Sequence, residues 1–305
     1  MGLCFIIVIG YATLHEIYNE IHAVRVISLM NSITILAPLS GPLLGALILQ
    51  LFFYWRIIFI ITAILAALSL VGLYLYMPET QGLLNKKSHP DPFRRLELKK
   101  IKNNYLSLIR NKTFMFGTIS LGIGTIPIVA WIGVSPLILM KTSHLSIFSY
   151  ALWQLPIFLS AAIGNLLVNK FAHRITLIRL VKISILCILI SSVFILLLPL
   201  IFSPNYYVII LGISCYTFAW GLTSGPLTRL TLFSTCITKG TASALMNLIC
   251  MFLVALGNQA SGLLYTTHNN LYFILFCGFC GIVGILFCSL FLKHRILMQE
   301  NCDAK

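Results

Sequence analysis

Leu36-Ala37-Pro38-Leu39-Ser40-Gly41-Pro42-Leu43-Leu44-Gly45-Ala46 lies inside an apolar run, Val26 to Phe53, that holds no charged residue. The run exceeds the roughly 20 residues needed to cross the hydrocarbon core of a bilayer. Two prolines would break a soluble helix of this length. In a membrane they are tolerated where neighbouring helices re-satisfy the freed carbonyls. Gly41 and Gly45 are four residues apart, so both fall on one side of the helix. That small-xxx-small spacing lets a second backbone approach closely. The stretch therefore predicts a kinked spanning helix packed along one face, and a Gly41→Leu change is expected to block that approach. Spacing alone describes a helix-packing element and nothing more.

The whole chain has the same character. Its 305 residues are 59% hydrophobic and only 9% charged, with a mean hydropathy of +0.98. Such a composition excludes an ordinary soluble domain and leaves an all-α integral membrane protein. Apolar runs recur to the end, so the first is not a signal peptide. The net charge of +14 could mark a nucleic-acid binder, but membrane proteins collect Lys and Arg in their cytoplasmic loops. Nine cysteines are scattered, mostly in apolar runs. Cys277-Gly-Phe-Cys280 has metal or redox spacing, but it lies in the middle of a span and reads as small apolar filler. No other Cys/His group has metal-ligand spacing, and no metal or other cofactor is expected.

In order, Met1–His15 is apolar but too short to span alone and reads as the back half of a helix. Glu16 and Glu20 follow it. After Val26–Phe53, a Tyr54-Trp55-Arg56 turn leads into the span Ile57–Met77. Residues 81–112 form a basic linker. They carry Lys86, Lys87, Arg94, Arg95, Lys99, Lys100, Lys102, Arg110 and Lys112 against Asp91 and Glu97. Part of this linker is expected to be an amphipathic helix lying on the membrane. Six more spans are expected at Phe114–Met140, Phe148–Phe171, Ile175–Ile201, Tyr206–Leu232, Ala242–Tyr265 and Leu271–Phe291, followed by a polar tail. With the linker in the cytoplasm, alternation leaves only Arg56 and Lys141 of the 21 Lys and Arg outside, a strong positive-inside asymmetry. A weak internal repeat also shows: Leu29-Met30-Asn31 and Gly41 recur as Leu245-Met246-Asn247 and Gly257 at a constant shift of 216. Two repeated bundles are the build of many transporters.

These residues resemble the drug/proton antiporters of the major facilitator superfamily. A small residue followed by Gly-Pro-x-x-Gly in the fifth of twelve helices is the antiporter motif of that family. Ala37, Pro38, Gly41, Pro42 and Gly45 match it, with Ala37 in place of the usual upstream glycine and Ala46 where a second glycine is common. Further stretches resemble its multidrug transporters: Leu3-Cys4-Phe5-Ile6, Met77-Pro78-Glu79-Thr80, Ala130-Trp131-Ile132-Gly133-Val134-Ser135-Pro136, Trp153-Gln154-Leu155-Pro156-Ile157-Phe158, and Arg229-Leu230-Thr231-Leu232-Phe233 followed by Lys239-Gly240-Thr241.

The resemblance implies the major facilitator fold, with an incomplete N-terminal bundle over 1–77 (a partial helix plus two, lacking the family's first three). It further implies a basic cytoplasmic inter-bundle loop over 78–112, a complete six-helix bundle over 113–292 and a cytoplasmic tail over 293–305. It implies a monomer in the bacterial inner membrane that exports lipophilic, often cationic drugs in exchange for protons. In that reading one bundle rocks against the other, and the outcome is antibiotic resistance. No enzyme chemistry and no nucleic-acid partner are implied, and the absence of a Gly-rich phosphate loop speaks against ATP as energy source. Two alternatives stand beside it: a truncated remnant that transports nothing, and an uncoupled metabolite facilitator.

A proton-coupled exporter of cations needs a carboxylate at its cavity. Of the seven acidic residues, none lies within a span after the linker, which leaves Glu16 and Glu20; Glu20 reads as a solvated helix end, and Glu16 is the coupling candidate. The resemblance matches it to an acidic position near the inner mouth of the cavity; a solvated helix end explains it equally well. By the same resemblance the cavity is lined by Ser32, Thr34, Ile128, Ile132, Tyr150, Gln154, Asn247 and Met251, an apolar and aromatic wall with few polar anchors. Helix packing accounts as well for Ile128, Ile132 and Met251 taken singly. Arg174, Arg229 and Lys239 are gating candidates at the cytoplasmic mouth, where positive-inside topology explains them equally, and Arg229 is a candidate partner for a carboxylate such as Glu16.

Overall fold

The computed structural model describes residues 37, 40–51, 54–76, 98–171, 175–202, 205–235, 237–265 and 270–303. Glu16, Ser32, Thr34, Pro38 and Arg174 lie outside the described residues, as does the side chain of Lys239. The chain divides into two compact units, residues 1–97 and 98–305.

In the first unit, α1 (Ser40–Leu51) and α2 (Arg56–Tyr76) are apolar helices. α2 presents large apolar side chains on every side, including Phe59, Ile64, Leu68 and Tyr74, as a helix does when its solvent is lipid. Pro42 lies within α1, and Ala37 before it is also helical. The tight packing expected at Gly41 and Gly45 is not found among the described residues: a Cβ at either would meet nothing within 4 Å.

The second unit holds α3 (Leu98–Arg110), α4 (Lys112–Pro136), a π-helical turn (Leu137–Thr142), α5 (Ile147–Phe171), α6 (Leu177–Ile201), α7 (Tyr206–Leu232), α8 (Lys239–Leu264) and α9 (Leu271–Asp303). Seven described helices, α2 and the six from α4 to α9, are long and apolar enough to cross a membrane, and they fall where the apolar runs place them. The tail differs from expectation: α9 runs on through Lys293 to Asp303, because no Gly or Pro follows Gly284 to stop it.

α4 is the hub. It packs against α7, α8 and α9, and its Phe114 and Trp131 are fully buried with Tyr216 of α7 and Phe273 and Phe291 of α9. Polar side chains tie it to its neighbours: Tyr216 Oη donates to Gly124 O at 2.8 Å, and Ser120 Oγ to Gly284 O at 2.9 Å. Backbone groups freed from water need such partners. α5 and α7 come closest where two glycines meet. A Cβ on Gly221 would lie 2.6 Å from Ala161 O, and one on Gly164 would run into Phe218 O. Beside this crossing, Ser160 Oγ donates to Ser214 O at 2.9 Å and lies 2.7 Å from Thr217 Oγ1. Cys277 and Cys280 are buried along α9, Cys280 against Ile126 and Val254, where they act as small packing residues.

Candidate functional site

The aromatic and amide residues of α4 and α5 form one connected polar chain inside the second unit. Trp131 Nε1–H donates to Gln154 Oε1 at 2.8 Å, and Gln154 Nε2–H donates to Ser135 Oγ at 3.0 Å. Ser135 Oγ lies 3.4 Å from Tyr150 Oη. Trp131 and Ser135 are fully buried and Gln154 is 2% exposed. Trp131 and Ser135 sit one helical turn apart on α4, as do Tyr150 and Gln154 on α5, so each pair shares a face. The first two bonds are well made. The third is long for O–H···O, so the half-buried Tyr150 hydroxyl retains capacity for another partner.

Of the predicted cavity residues, the structure therefore brings Tyr150 and Gln154 together. Ile128 packs half-buried against the core. Ile132 of α4 is 47% and Met251 of α8 58% exposed. Asn247 is half-buried, and among the described residues its Nδ2 reaches Ser243 Oγ of its own helix at 3.4 Å. Arg229, in the last turn of α7, stacks over Phe233 with its guanidinium 5.8 Å from the ring centroid. A cation there also complements the negative end of the helix. Next to it, Arg295 of α9 donates to Leu230 O.

Three residues escaped the sequence reading. Trp131 and Ser135 were visible only as part of a family-like stretch. Asn258 was not singled out, yet its Oδ1 is buried without a hydrogen-bond partner among the described residues and presses on Gly133 of α4, where a Cβ would lie 2.5 Å from it. The signal was available: Asn247 and Asn258 are eleven residues apart, three turns, and so fall on one side of α8.

Residues 1–258 match the Major Facilitator Superfamily. The chain belongs to that superfamily. Its multi-pass, all-helical build is that of a major facilitator membrane protein. It is 34% identical over 295 residues to the multidrug transporter MdfA of Escherichia coli O6:H1, an alignment covering 97% of this chain and 70% of the relative. It is 32% identical to MdfA of Yersinia pestis bv. Antiqua with the same coverage, and 32% identical over 298 residues to MdfA of Edwardsiella ictaluri.

Proposed function

We propose that this protein exports lipophilic, often cationic compounds across the bacterial inner membrane in exchange for protons. The observation that carries the reading is the similarity to multidrug transporters along 97% of the chain. The residues proposed to bind drug are Tyr150, with its spare hydroxyl, and the half-buried Asn247, flanked by Ile128, Ile132 and Met251. Ser32 and Thr34 complete the wall by resemblance. Glu16 is the proposed proton carrier, since the described spanning segments carry no Asp or Glu. Ala37, Pro38, Gly41, Pro42 and Gly45 remain the proposed antiporter motif, and Arg174, Arg229 and Lys239 the proposed inner gate.

The test is accumulation of ethidium, a lipophilic cation, in cells lacking their own exporters. Expression of the protein is expected to lower accumulation, an uncoupler to reverse the effect, and Glu16→Gln to abolish it. Lowered accumulation that ignores the uncoupler would favour the second reading, an uncoupled facilitator, to which the carboxylate-free spans also point. Export that survives Glu16→Gln but still needs the proton gradient would remove Glu16 from its role.

Orientation follows the charge asymmetry. The segment around Lys99 is placed in the cytoplasm and that around His268 in the periplasm. Reporter fusions at these two points should be active on opposite sides, and a periplasmic signal at Lys99 would invert the topology.

A further inference from the structure

α3 has one flank that no other helix of the second unit covers. Its inner face is used in packing: Leu108 is fully buried, Tyr105 packs on the same core, and the helix rests against α4 and α8. Yet Leu106 is 41% and Ile109 50% exposed. At about 100° per residue these two lie within roughly 60° of each other, with Lys102 between them and Lys99 and Arg110 at the border. Apolar and basic residues thus share one flank, the pattern of a helix lying in a membrane interface.

Two further facts fix what that flank meets. A single residue, Asn111, separates α3 from the spanning α4; its backbone is extended (φ −77°, ψ 101°), and its Oδ1 caps α4 by accepting from Phe114 N–H. Asn111 Nδ2 also donates to Ser234 O at 3.2 Å, just beyond the end of α7. α3 is therefore tied to the level where α4 enters the bilayer and α7 leaves it. In addition, no acidic residue occurs from Leu98 to Gln299, so neither α3 itself nor the helices α4 to α8 set a carboxylate beside the exposed Lys102 and Arg110.

We propose that α3 is a docking surface for acidic phospholipids. Leu106 and Ile109 enter the boundary between headgroups and acyl chains, while Lys102 and Arg110 bind headgroup phosphates, holding α3 and the entry of α4 at a fixed depth. This assignment needs only that α4 spans the membrane; it does not depend on drug export or on which side the linker faces.

The full chain is reconstituted in nanodiscs of phosphatidylcholine alone, or of equal parts phosphatidylcholine and phosphatidylglycerol. Amide hydrogen exchange is then followed across residues 98–110 and, as an internal reference, in α7. Phosphatidylglycerol is expected to slow exchange in α3 about tenfold, with high salt reversing the effect. The double change Lys102→Gln, Arg110→Gln should erase the lipid dependence with α7 unchanged. Leu106→Ser with Ile109→Ser should weaken it. Equal exchange in the two lipids, slowing that survives the Lys102→Gln, Arg110→Gln change, or slowing reproduced by inorganic phosphate added to phosphatidylcholine discs would each overturn the assignment.

Discussion

Gly221→Leu is expected to unfold the second unit at a markedly lower temperature, while Gly225→Leu, one turn away on the same helix, leaves it unchanged or slightly more stable. Both replace glycine by a good helix former, so intrinsic propensity favours both by up to about 1 kcal/mol. They differ in what they meet. A Cβ on Gly221 comes within 2.6 Å of Ala161 O and 3.3 Å of Asn165 N, whereas one on Gly225 meets nothing within 4 Å. The obstacle at Gly221 is backbone, which cannot rotate away as a side-chain end can. α5 and α7 must separate, and separation stretches the bonds of Ser160 to Ser214 O and of Thr217 Oγ1 to Ile157 O at 3.0 Å. Overpacking costs about 1–3 kcal/mol for small intrusions and occasionally more; a leucine against a carbonyl belongs at the upper end. For a unit of this size that corresponds to a fall of roughly 6–12 °C in the unfolding midpoint, read from the detergent-solubilised protein. Equal midpoints for the two variants would mean that the α5–α7 crossing is looser than described.

The contrast with Gly41 shows which parts of this fold are legible in the sequence. Spans are legible because a bilayer imposes both a minimum length and an apolar composition, and neither requirement depends on partners. Close helix crossings do depend on partners. Gly41 and Gly45 have the same four-residue spacing as Gly221 and Gly225, and no described residue approaches them. Gly164 has no glycine four residues away, and the partner of Gly221 at that spacing, Gly225, meets nothing within 4 Å; the tightest α5–α7 contact rests on Gly164 and Gly221 alone, because it needs only one small residue on each helix at the point of crossing. The helical end of α9 was missed for a different reason: polarity argued for a tail, while the absence of any stop signal after Gly284 allowed the helix to continue.

The candidate site divides along the same line. Gln154 was legible only through the family resemblance. Its partner Trp131 lies 23 residues away across a helix crossing and could be recognised only with the two helices placed. Ile132 and Met251 were named by resemblance, and both are exposed on α4 and α8; which face a weakly amphipathic span turns toward a neighbour is not written in its sequence.

Gln154 itself is expected to matter first for stability. Its amide oxygen and nitrogen are both engaged, with Trp131 and Ser135, and it is almost fully enclosed, so a ligand could reach it only by breaking bonds already made. Gln154→Leu leaves the Trp131 N–H without an acceptor, at about 1–3 kcal/mol for a buried unsatisfied donor. Trp131→Phe strands the Gln154 oxygen in turn. Once one partner is gone, removing the other abolishes the stranded group and not a bond. The double variant is therefore expected to be less destabilised than the sum of the singles by about 1 kcal/mol, within the range found for hydrogen bonds between membrane helices. Tyr150→Phe removes a hydroxyl whose contact to Ser135 is long at 3.4 Å, and should cost no more than about 0.5 kcal/mol. Its loss should be felt in drug binding, where that hydroxyl is the free end of the chain. Unfolding midpoints and ethidium affinity of the four variants separate the roles. Additive single effects would mean that Trp131 and Gln154 are not bonded, and a weaker ethidium affinity in Gln154→Leu with unchanged stability would return Gln154 to the cavity wall.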